Sequence, residues 1–188
     1  MDVLLLSFIG AALAEFGDKT QLLVIALAVR YRQPLPVLAG VAVGALANAL
    51  LAGFGGTLIH GLITLRATSL LVALALVFAG VAGLLRNQAP DFATDWRTGA
   101  FLTSASAFFL VEFGDKTQFL TLALAAQYDS LFLAAGGATA GVIAANAPAA
   151  LLGDTMRAAL PMKGIRIAAA ILFLLCGLIV AISALRLV

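Results

Sequence analysis

Charge is scarce in this chain. Of 188 residues only 11 are basic and 9 acidic, while 63% are hydrophobic and the mean hydropathy is +1.13. So large an apolar excess cannot be hidden in the core of one soluble domain, so the remaining solvent must be lipid. The net charge is +2 and no run of like charge occurs, which excludes nucleic acid as a partner. Cysteine is nearly absent: Cys176 stands alone in an apolar run, so neither a disulfide framework nor a thiolate metal site can be built. Histidine is as rare, and His60, beside Gly61 at the end of an apolar segment, reads as interfacial. A basic leader is also missing. The first apolar run continues past Ala14 to Val29, too long for the core of a cleaved signal, and reads as a mature helix.

Six apolar segments are present: Val3 to Val29, Pro34 to Ile59, Ala67 to Leu85, Gly99 to Ala126, Ser130 to Met156 and Gly164 to Leu185. Backbone groups in hydrocarbon must bond within their own segment, so these runs predict an all-α integral membrane fold with six transmembrane helices in one domain, 1–188. Seven Lys and Arg follow the first, third and fifth segments (Arg30, Arg32, Arg86, Arg97, Arg157, Lys163, Arg166), against Arg66 and Arg186 on the other side. That bias predicts a plasma (inner) membrane protein with both termini outside. Tyr31, Trp96 and Tyr128 fall at segment ends, where interfacial aromatics sit, and Asp154 with Arg157 reads as an interfacial pair. Gly40, Gly44, Gly53, Gly55 and Gly56 read as close helix contacts.

An internal repeat organises the whole. A shift of 97 residues lays Leu13 to Tyr31 on Leu110 to Tyr128 with 13 of 19 positions identical, including an unbroken Glu-Phe-Gly-Asp-Lys-Thr-Gln. Repeat one covers about 1–86 and repeat two about 99–188. Each holds three predicted spans, an odd number, so the second enters the membrane inverted relative to the first.

The repeated heptapeptide, Glu15 to Gln21 and Glu112 to Gln118, lies deep in its apolar segment. A charge there costs about 2.5 to 3.5 kcal/mol on insertion, so six of them require a function. On a continuous helix Glu15 and Asp18 share a face and Lys19 sits four residues from Glu15, the order that favours an ion pair; Glu112, Asp115 and Lys116 repeat this. Gly17 and Gly114 allow close approach or a local break. Antiparallel repeats would bring four carboxylates together, and with two lysines the sum is −2, matched by one divalent cation or two protons. Oxygen ligands alone select hard cations such as Mg, Ca and Mn. Thr20, Gln21, Thr117, Gln118, Asn48 and Asn146 can add neutral oxygens, enough in all for an octahedral ion, and Pro148 could open the helix beside Asn146. Protons and metal would compete for the acids, the chemical basis of an exchanger.

With both copies intact as Glu-Phe-Gly-Asp-Lys-Thr, at Glu15 to Thr20 and Glu112 to Thr117, the chain resembles the small membrane family of cation/proton exchangers defined by a duplicated Glu-x-Gly-Asp-Lys/Arg-Thr/Ser, over essentially its full length. The family includes bacterial manganese exporters and Golgi and chloroplast manganese or calcium transporters. The resemblance implies cation binding by Glu15, Asp18, Glu112 and Asp115, with Lys19, Lys116 and the threonines modulating the site. It implies a secondary transporter and not an enzyme, with Mn(II) or Ca(II) as transported substrate, protons as coupling ion, the bilayer as solvent and no cofactor. Two other readings compete. An intramembrane lipid-phosphate hydrolase would need a phosphoryl clamp, and no arginine lies in the interior of a predicted helix. An exporter of small organic cations would be expected to have an aromatic cage, which is missing near the motifs.

Overall fold

The computed structural model describes residues 1–85, 96, 98–153, 155–156 and 161–185. Among these the fold is all helical: α1 (Asp2–Glu15), α2 (Lys19–Tyr31), α3 (Pro34–His60), α4 (Leu65–Leu84), α5 (Ala100–Glu112), α6 (Lys116–Tyr128), α7 (Leu131–Leu152) and α8 (Met162–Leu185). Four of them, α3, α4, α7 and α8, are long and apolar enough to cross a membrane unaided. The predicted pair of Asp154 and Arg157 and most of the connection Arg86 to Thr98 lie outside the described residues.

One expectation is corrected. The first and fourth apolar segments are not continuous helices; each is two helices joined at the charged motif. Gly17 and Gly114 adopt the left-handed region, with φ of 74° and 77°, a conformation that only glycine takes up at little cost. The flanking residues, Phe16 with Asp18 and Phe113 with Asp115, are extended. The predicted i, i+4 pairs therefore do not form.

The 97-residue period reaches the element boundaries. Lys19 and Tyr31 bound α2 as Lys116 and Tyr128 bound α6, α3 and α7 begin at Pro34 and Leu131, and α4 and α8 at Leu65 and Met162. Packing follows the same rule with the halves exchanged: α1 lies against α7, α5 against α3, and α4 pairs with α8. A Cβ on Gly40 would meet Phe101 O at 2.4 Å, and one on Gly137 would meet Leu4 O at 2.3 Å. Gly44 abuts Ala105 O and Phe109 N as Gly141 abuts Phe8 O and Ala12 N, and Gly80 meets Ala170 and Leu174 as Gly177 meets Ala73 and Val77. Every one of these pairs maps onto its counterpart under the same shift. The small residues let backbones touch, the device by which helices associate in lipid, where no hydrophobic drive separates helix from solvent. Of the five glycines singled out in the sequence, Gly40, Gly44, Gly53 and Gly56 lie against backbone, whereas Gly55 meets only a leucine methyl at ordinary distance.

Because a methyl at Gly40 or Gly137 would strike backbone, Gly40→Ala and Gly137→Ala should each destabilise by about 1 to 3 kcal/mol. Thermal unfolding in detergent would check this, with Gly136→Ala as control, since a methyl there meets none of the described residues. Large side chains such as Leu58, Leu74, Phe132, Leu151, Leu175 and Ile179 point outward, as a lipid-facing surface requires.

Candidate cation site

Four helix ends meet where the two motifs come together: the C-termini of α1 and α5 and the N-termini of α2 and α6. Asp18 and Asp115 occupy the N-cap positions of α2 and α6, the usual place for Asp, yet neither side chain caps its own helix. Each turns to the lysine of the opposite repeat. Lys19 Nζ donates to Asp115 Oδ1 at 2.8 Å, and Lys116 Nζ donates to Asp18 Oδ2, with a second contact to Asp115 Oδ2 at 3.2 Å. The two crossed ion pairs couple the repeats, and they are not equally dry. The side chains of Lys116 and Asp18 are 5% and 4% exposed, those of Lys19 and Asp115 33% and 15%.

The glutamines hold the breaks in shape. Gly17 N–H donates to Gln21 Oε1 at 2.8 Å, and Gly114 N–H to Gln118 Oε1 at 2.6 Å. Gln21 Nε2 then donates to Ala145 O at 2.7 Å. That carbonyl lies beside the one that Pro148, inside α7, leaves without its helical donor. Gln118 Nε2 reaches Asn48 O and Oδ1, both at 3.4 Å. In this arrangement the amide oxygens of Gln21 and Gln118 accept from the motif glycines, so their role here is to position the broken segment.

The glutamates are treated differently. Glu15, fully buried, accepts from Thr20 Oγ1 at 2.7 Å, from Thr117 Oγ1 at 2.9 Å and from Asn146 Nδ2 at 3.3 Å, so both repeats and α7 converge on it. Glu112 is as deeply buried, but neither carboxylate oxygen has a hydrogen-bond donor among the described residues, and Asn146 Oδ1 is in the same condition. Glu112 borders a cavity of about 10 Å³, lined also by Asn48, Thr117, Gln118 and Thr121, with room for about one water or one ion. Thr117 thus stands between the two glutamates, donating to one and lining the void beside the other.

The candidate cation-binding residues of the sequence lie in this region, but not as the four-carboxylate cluster expected there. Among the described residues no three acidic, histidine or cysteine side chains converge closely enough to hold a metal ion, because the lysines draw the aspartates into the crossed pairs. Asn48 donates to Phe109 O at 3.0 Å and Asn146 to Val142 O at 3.0 Å, tying α3 to α5 and bracing α7. Thr121, whose hydroxyl donates to Thr117 O at 2.8 Å, lines the cavity and was missed. Its counterpart under the repeat is Val24, so a search for duplicated polar residues passes over it. His60 sits at the end of α3 with Nδ1 2.7 Å from Ala126 O, and Cys176 lines an apolar groove.

Buried charge at paired helix breaks, inside a bundle faced with leucine and phenylalanine, places this protein among the integral membrane ion transporters. It belongs to the Divalent cation/proton antiporter GDT1 family, matched over residues 3–91 and 100–187. A protein of Vibrio cholerae serotype O1 named "Putative manganese exporter" is 40% identical over 184 residues, which span 96% of this chain and 91% of that protein. No solved structure matches the chain.

Proposed function

We propose that the protein exports Mn(II), with Ca(II) as the second candidate, from the cytoplasm in exchange for protons by alternating access. The observation that carries this reading is the division of labour among the acids. Both motif lysines are taken up by aspartates, leaving Glu15 and Glu112 as a buried pair with neither of these lysines bonded to them, and two of their four oxygens have no donor among the described residues. Ionised, that pair matches one divalent cation, and protonated it is neutral, so one ion and two protons are exchangeable loads. The C-termini of α1 and α5 direct carbonyl dipoles, and the N-termini of α2 and α6 amide dipoles, toward the same region, the arrangement of broken helices that transporters use to hold ions.

The two discontinuous elements, α1 with α2 and α5 with α6, each serve as one membrane crossing. With α3, α4, α7 and α8 they make six spans in two inverted repeats, and the exchanged glycine contacts support that symmetry. The charge bias of the loops orients the termini to the outside of the inner membrane. No enzymatic step is required by this arrangement.

The test is Mn(II) flux in proteoliposomes under an imposed pH gradient, with Ca(II) run in parallel. Export against protons predicts that an opposing proton gradient drives Mn(II) uphill and that collapsing it with an ionophore ends accumulation. Mn(II) flux that neither responds to nor generates a pH difference would remove proton exchange from the reading.

A further inference from the structure

The two halves share the 97-residue symmetry in their helix boundaries and glycine contacts, yet they differ at the motif, and the motif glycines show the difference most directly. Gly17 is buried under the first turn of α8: a Cβ there would meet Met162 O at 2.6 Å and Arg166 Cβ at 3.0 Å. Its counterpart Gly114 is exposed, and none of the described residues comes within 4 Å of the same position. The difference extends to the neighbours. Phe16 is partly buried against the core, while Phe113 is 60% exposed beside a groove of about 570 Å³ that also includes Asp115 and Gln118. The residues that correspond to Met162 and Arg166 are Leu65 and Ser69, in the first turns of α4. They stand away from Gly114: Ser69 Oγ bonds to Leu65 O at 2.9 Å and lies 3.3 Å from Gln127 Oε1.

A repeat whose halves are alike in sequence and in helix packing, but differently covered at the motif, has a second arrangement available in which the coverings are exchanged. We propose that the first turns of α8 and α4 are alternating gates: Met162 and Arg166 close over Gly17 in this state, and Leu65 and Ser69 close over Gly114 in the other as Gly17 is released. This rests on the alternating-access reading above. The paired helices α4 and α8, locked together at Gly80 and Gly177, move as one body between the two positions. With the orientation given by loop charge, the closed gate lies on the cytoplasmic side and the open one on the outer side. The gates also differ in chemistry. The cytoplasmic one carries the cationic Arg166 where the outer one has the neutral hydroxyl of Ser69, and the arginine of the outer one, Arg66, turns instead to Leu185 O at 3.1 Å.

The experiment uses the full chain with Cys176→Ala as parent, reconstituted in proteoliposomes, and two cysteine pairs: Phe16→Cys with Arg166→Cys, and Phe113→Cys with Ser69→Cys. Both pairs are expected to form disulfides on oxidation, each with loss of Mn(II) uptake, and reductant should restore uptake, which also shows that the variants are folded. Leu65→Cys with Phe113→Cys provides a second outer pair should Ser69→Cys fold poorly. The gate assignment is overturned if neither outer pair cross-links in a protein that transports Mn(II) at the parent's rate, or if a disulfide there leaves uptake unchanged. A parent that moves no Mn(II) counts against the transporter reading instead. The gates are then judged on cross-linking alone: formation of both kinds of pair supports them, and failure of the outer pairs overturns them.

Discussion

Glu15→Gln is expected to reduce Mn(II) flux to background in proteoliposomes, and Glu112→Gln to do the same, while their effects on stability differ. Either change removes one of the two buried glutamate charges, so a divalent ion inside the bundle would keep an uncompensated positive charge in a setting where charge is costly. At position 15 the carboxylate accepts two hydroxyls and an amide, and hydrogen bonds to a charged group are worth about 1.5 to 3 kcal/mol each, so Glu15→Gln should lower the unfolding temperature in detergent. At position 112 no donor is lost, because neither oxygen has one among the described residues, and a neutral amide is cheaper to bury than an unpartnered carboxylate. Glu112→Gln should therefore be neutral or stabilising while inactive. Wild-type flux in either variant would remove that glutamate from the proposed site.

The second large effect concerns the crossed ion pairs, whose unequal burial predicts unequal costs. Asp18→Asn leaves the Lys116 ammonium, on a side chain 5% exposed, without its main counter-ion, and breaking a buried pair from one side costs about 3 to 5 kcal/mol. Asp115→Asn disturbs a part-buried pair whose lysine is 33% exposed and a longer contact to Lys116, which keeps Asp18, so its cost should fall between that figure and the about 0 to 1 kcal/mol of exposed pairs. Thermal unfolding of the two variants in one detergent should separate them clearly, with Asp18→Asn the weaker protein. Lys116→Met added to Asp18→Asn should recover much of that loss, since an apolar replacement of both partners removes the stranded charge. Equal unfolding temperatures for the two single variants would contradict the described difference in burial.

Much of this was legible in the sequence because the repeat is written in identical letters. Glu15 to Gln21 and Glu112 to Gln118 announced the region, and Gly40, Gly44, Gly53 and Gly56 announced helix contacts, since in lipid only small residues let backbones meet. What the pattern could not convey was the partner of each charge. Spacing along a helix put Lys19 with Glu15, but once Gly17 takes a positive φ the helix phase is lost, and the lysine finds an aspartate 96 residues away. The asymmetry was equally invisible, because a duplicated sequence carries no sign of which half is covered. Thr121 escaped notice for the opposite reason, having no polar counterpart.

The sequence distance across the crossed pairs has a consequence for how the protein is made. Asp18 bonds to a lysine 98 residues later, and Glu15 to a threonine 102 and an asparagine 131 residues later. A ribosome delivers the first broken helix to the bilayer long before any of these partners exists, so its acids must pass through early assembly without their final neighbours. The N-terminal half is thus an incomplete product, awaiting its own duplicate. Separately expressed halves should accumulate only when made together, because each supplies the counter-charge that lets the other remain in lipid.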